Sequence, residues 1–192
     1  MSNIIEQLTD SEFLYLQPWF YNNKLALRCE LGIGEDDYME NAFSRAIQIA
    51  NVLFANRKID VAFFHQYFDS DGTVQVAGDF TLKIAEKVNL NKNLLIAVGD
   101  IDDDISAVIR CISYDIDFTT LESILKSQIY CQVNPLVSFV SLENQCIFSV
   151  YDDRGCDLVF FSNEKYKEFY IKLEKYFLDY DREKMRETFE SI

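Results

Sequence analysis

Along residues 25–31, LALRCEL, apolar and polar positions alternate: Leu25, Leu27, Cys29 and Leu31 fall on one face, Ala26, Arg28 and Glu30 on the other. A period of two predicts a half-buried strand. Between 36 and 55 the period lengthens to three and four, with Met39, Ala42, Phe43, Ala46, Ile49, Ala50 and Leu53 on one side. That spacing predicts an amphipathic helix with one face on a sheet. Gly32 and Gly34 separate the two elements, and Glu35, Asp36 and Asp37 bring negative charge to the positive end of the helix dipole. IDVAFFHQYF (59–68) is rich in β-branched and aromatic residues and too apolar for an edge, so an inner strand is expected.

The remaining pattern is read in the same way. Residues 3–13 predict a short helix, ended at Pro18-Trp19-Phe20. Phe80, Ile84 and Val88 predict a helix over 74–88; 94–98 a short strand or loop; 99–104 an acidic turn; 105–114 a strand. Residues 119–130 predict a helix with Leu121, Ile124, Leu125 and Ile129 inward, capped by Thr119 or Thr120. LVSFVSLE, CIFSVYD and DLVFFS, joined at Asn144-Gln145 and at DRG, predict a three-stranded antiparallel meander, and a long helical stretch follows from 163. The sum is one α+β domain over residues 1–192. Its sheet is expected to be mixed or antiparallel, of about five to six strands, closed by the meander and with helices mainly on one face.

Composition adds charge to this outline. Lys and Arg number 18 against 32 Asp and Glu, a net charge of −14. Such a surface repels phosphate backbones and anionic lipid, so nucleic-acid and membrane binding are not expected, and a basic protein partner is. The 5 cysteines are odd in number and without a C-x-x-C pair, which reads as reduced core thiols. The opening MSNIIEQLTDSEF has no basic n-region and no apolar run of leader length, so a cytoplasmic location is expected.

Candidate chemistry is sparse. The single histidine, His65, shares a strand face with Val61, Phe63 and Tyr67, where a hydrogen-bonded core imidazole fits better than a catalytic base. Neither G-x-G-x-x-G nor a P-loop occurs, DSDG at 69–72 lacks the carboxylates of a calcium loop, and no cofactor, metal or catalytic residue is expected. In GDIDDD, Asp100, Asp102, Asp103 and Asp104, with Asp115 and Asp117 a strand away, read either as a solvated loop or as a docking patch for a basic partner. YDDRGCD (151–157) reads as a turn: Gly155 would supply a positive φ, and Arg154 would pair with Asp152, Asp153 or Asp157. With Arg28 and Glu30 of the first strand, these residues form an expected structural polar network reaching the terminal helix.

KLALRCELG with AFSRAIQIANVLF, and YDDRGCDLVFF with YKEFYIKLEKYFLDYDREKM, resemble the opening and closing signatures of an uncharacterised bacterial domain-of-unknown-function family. The resemblance implies a bacterial origin and a fold-family link, with no catalytic residues to carry over. The function expected is that of an acidic, non-catalytic binding protein, an immunity protein neutralising a cognate toxin, possible targets including a basic nuclease. An enzyme using the Asp152, Asp153, Arg154 and Asp157 loop, or a regulatory or scaffold protein, are the alternatives.

Overall fold

A computed structural model describes the backbone of residues 19–69, 91–102, 105–131 and 136–192, and the side chains of 19–63, 116–130 and 137–192. The helices expected over 3–13 and 74–88, and Asp103 and Asp104, lie outside the described residues. A one-turn helix α1 (Trp19–Asn22) leads into strand β1 (Ala26–Glu30), helix α2 (Tyr38–Leu53) and strand β2 (Lys58–Asp69). Then come β3 (Asn91–Asp102), β4 (Ile105–Asp117), helix α3 (Phe118–Cys131), and the meander β5 (Leu136–Ser141), β6 (Cys146–Asp152) and β7 (Gly155–Phe160). Helix α4 (Asn163–Leu173), two 3₁₀ turns (Glu174–Tyr176 and Asp179–Asp181) and helix α5 (Arg182–Ser191) complete the α+β fold.

The described strands form one seven-stranded antiparallel sheet in the order β1-β7-β6-β5-β2-β4-β3. β2 is an inner strand, paired with β4 on one side and β5 on the other. One sheet face carries Leu27, Leu158, Phe148 and Phe139 in register, and helices α2 and α3 cover it: Phe54, at the end of α2, meets Phe148 at 6.5 Å between ring centres. The helical period of α2 is as its sequence predicts, with Ala42, Ala46, Ile49, Ala50 and Leu53 buried.

Two expectations are corrected. β1 is not half-buried: Arg28, on the face predicted to be wet, is 7% exposed, because α1 and the chain after α4 cover that face and the strand's free edge. Leu178 N donates to the Arg28 carbonyl at 3.1 Å, and Phe177 bridges to Cys29, so the edge of β1 is sealed by the protein's own C-terminal segment. Over 99–102 the expected acidic turn is strand instead: β3 stays extended to Asp102, which pairs with Ile105. Ladder pairing with β4 overrides the weak strand preference of Gly99 and its aspartates.

Candidate functional site

On the second sheet face, strand register sets four polar residues in a row across four strands: Arg28, Asp157, Ser149 and Ser138. All are buried, so each must be satisfied internally. Arg28 meets Asp157 in a fork, Nε to Oδ1 at 2.7 Å and Nη2 to Oδ2 at 2.9 Å. Phe20 N donates to the same carboxylate at 3.1 Å, and Ser138 Oγ donates to Ser149 Oγ at 3.2 Å. The guanidinium also lies 5.2, 4.7 and 5.2 Å from the ring centres of Phe20, Tyr21 and Tyr151. Burial works against its charge, but the bonds and charge of Asp157 outweigh that and hold Arg28 above its ordinary pKa. Nη1 is 3.8 Å from Asp181 Oδ2, whose carboxylate accepts from the Tyr21 hydroxyl at 3.1 Å. Arg28 thereby links α1, the sheet and the turn before α5.

Beside this box opens a cavity of about 710 Å³, lined among others by Trp19, Arg28, Glu30, Tyr38, Tyr151 and Asp152. Its wall joins two segments far apart in sequence: Leu31 N donates to the Arg154 carbonyl at 2.9 Å, which brings the loop after β1 against the β6–β7 turn. Two glycines make room for the cavity's two tyrosines. The place of a Cβ at Gly32 is filled by the Tyr38 ring, and that at Gly155 by the Tyr151 hydroxyl, with the Cys29 carbonyl 2.7 Å away. Gly155 is therefore required for space; its φ lies outside the left-handed region, contrary to the turn geometry expected from sequence.

Arg154 does not reach the terminal helix. It is bonded to Asp152 through both its guanidinium and, at 2.8 Å, its backbone N, and its side chain is 75% exposed. The network expected from sequence is thus two separate pairs, Arg28 with Asp157 and Arg154 with Asp152, and only the first spans the fold. Asp152 and Asp157, half of the loop that an enzyme would use, are each engaged by an arginine. Glu30 lines the cavity, and its carboxylate has no ion pair among the described residues. Glu35, Asp36 and Asp37 follow, exposed and equally without an ion pair among the described residues. They do not cap α2: Asp37 holds φ 56° and makes no side-chain capping bond. Burial, and then the negative field of Asp153 and Asp152, raises the Tyr38 phenol above its ordinary pKa; burial does the same for Tyr151.

The acids predicted to meet a partner lie elsewhere. Asp100 and Asp102 fall on β3 and Asp115 on β4, with their side chains outside the described residues, as is that of His65 on β2. Asp117 is exposed and caps α3, accepting from Thr120 N at 2.7 Å. Among the described residues no group of three or more His, Cys, Asp or Glu side chains could hold a metal, and no helix is long and apolar enough to cross a membrane.

No curated protein matches the chain, and neither does any solved structure. A family profile described as a domain of unknown function (DUF3885) matches residues 5–181, and the chain belongs to that family.

Proposed function

We propose that this protein is an acidic, non-catalytic binding protein that docks a basic protein partner at the β1–β7 edge of its sheet. The reading's biological form is an immunity protein in a bacterial cytoplasm, with a toxin as the partner. One observation carries it: Glu30 lines a cavity and Glu35, Asp36 and Asp37 stand exposed on the loop that follows it, none with an ion pair among the described residues, in a chain of net charge −14. The nearby guanidiniums of Arg28 and Arg154 are held by Asp157 and Asp152, and Arg45, bonded to the Glu30 main-chain carbonyl, adds one cation against the four acids, so the balance left at this end is negative. A negative patch speeds encounter with a basic surface and covers the groove such a partner would offer to nucleic acid.

Co-expression with the product of the adjacent gene, scored by growth and then by binding at low and high salt, tests this reading. Rescue is expected from the native chain, and reversal of Glu35, Asp36 and Asp37 to Lys should slow association ~10-fold or more at low salt. Reversal of Asp100 and Asp102 on β3 probes the opposite sheet edge. If that set alone slows association, docking at the β1–β7 edge is wrong; if growth is never rescued, the immunity reading is wrong.

A further inference from the structure

Within that acidic end, the geometry points to a specific ligand chemistry for the cavity, an inference that rests on the basic-partner reading. We propose that the cavity receives one arginine side chain of the partner, its guanidinium beside Glu30 and the rings of Tyr38 and Tyr151, its main-chain carbonyl toward Arg28.

Three observations meet here. The lining holds the carboxylates of Glu30, Asp152 and Asp157 against the guanidiniums of Arg28 and Arg154, and both guanidiniums are already bonded to an aspartate. The charge left to a ligand is that of Glu30. Trp19, Tyr38 and Tyr151 supply aromatic surface in the same lining, where a planar, weakly hydrated guanidinium gains more than a compact ammonium. Arg28, with a side chain 9% exposed, lines the cavity and keeps a donor in reserve: Nη1 lies 3.8 Å from Asp181, beyond hydrogen-bond reach, and has no acceptor among the described residues. Where it lines the cavity, the Arg28 guanidinium can donate to a carbonyl of the ligand. Arg28 and Glu30 are two residues apart on one strand face, hence about 7 Å apart along it. An extended arginine spans a similar distance from carbonyl to charged head. The volume of about 710 Å³ is ample for one such residue and its flanking peptide groups.

The probe is N-acetyl-arginine methylamide, titrated into the full chain at low salt. Trp19 is the only tryptophan and lines the cavity, so its fluorescence reports occupancy. A saturable change is expected, weakened about tenfold by Glu30→Gln and severalfold by Tyr38→Leu, with unchanged thermal midpoints showing that both variants fold. Agmatine, which lacks the carbonyl, should bind more weakly than the capped arginine. No saturable response, an equal response to capped norleucine or capped lysine, or an unaltered affinity in Glu30→Gln would overturn the proposal. The two readings fail separately. Binding of capped arginine without rescue of growth removes the toxin and keeps the cavity; rescue with a partner that binds Glu30→Gln as tightly as the native chain does the reverse.

Discussion

At the scale of single residues, Arg28 and Arg154 show how differently one side chain weighs in two settings. Arg28 is enclosed by three rings and forked onto Asp157, with side-chain exposures of 9% and 3% for the pair. Replacing Arg28 by Met leaves the Asp157 carboxylate buried beside an apolar chain, still bonded only to Phe20 N. The expected cost is about 3–5 kcal/mol in urea unfolding, and the double variant Arg28→Met with Asp157→Leu should recover most of it. Arg154→Ala should cost less than about 1 kcal/mol, since its pair with Asp152 stands in water on the arginine side. Equal losses for the two single variants would refute this ranking. The sequence offered the opposite emphasis, because YDDRGCD displays Arg154 among acids while LALRCEL hides Arg28 in an alternating strand. Alternation tells which residues share a face; it does not tell whether a distant segment covers the second face.

Among the elements, two helices begin on side chains that hold otherwise unbonded backbone donors. Asp117 accepts from Thr120 N at the start of α3, and Ser162 accepts from Lys165 N at the start of α4. Asp117→Ala and Ser162→Ala should each lower stability by ~1 kcal/mol, read as a fall in the urea midpoint. For Asp117 this separates two roles: a variant that loses partner affinity with its stability intact would return the residue to the docking surface. The elements that sequence displayed most clearly are those built on local period. Ala42, Ala46, Ile49, Ala50 and Leu53 mark α2, and the alternating runs broken at Asn144-Gln145 and at DRG mark the meander. β3 was legible only in part, since its polar opening and GDID ending become strand by pairing with β4. The cavity was not legible at all. Gly32 and Gly155 acquire their meaning from tyrosines placed by register and by the Leu31–Arg154 bond, and no periodicity encodes that meeting.

For the whole molecule, the balance of 32 acids against 18 bases means that every proton lost adds to an existing self-repulsion. The groups poised to lose protons on the alkaline side are buried phenols and thiols. Burial raises Tyr38, Tyr151, Tyr166 and Tyr170 above the ordinary 10.0, and raises Cys146 from 9.0 to about 12. Cys156 is raised as well, by burial and then by its bond to the neighbouring Cys29 thiol. A folded pKa above the unfolded one means that the folded chain holds these protons more tightly. The resulting stability is complete below the unfolded values, and it is lost as pH climbs from 9.0 for the thiols and 10.0 for the phenols through the folded values. Urea midpoints should therefore stay level on the alkaline side of neutrality and then fall steadily from about pH 9 to about pH 11. The part of the tyrosinate absorbance that comes from Tyr151 and Tyr166 should rise together with the loss of circular dichroism, because these phenols ionise only when the core opens. If all the tyrosines titrate at the ordinary value while the dichroism is retained, the aromatic core is more open to water than its burial implies, and the packing of Tyr151 against Arg28 would have to be redrawn.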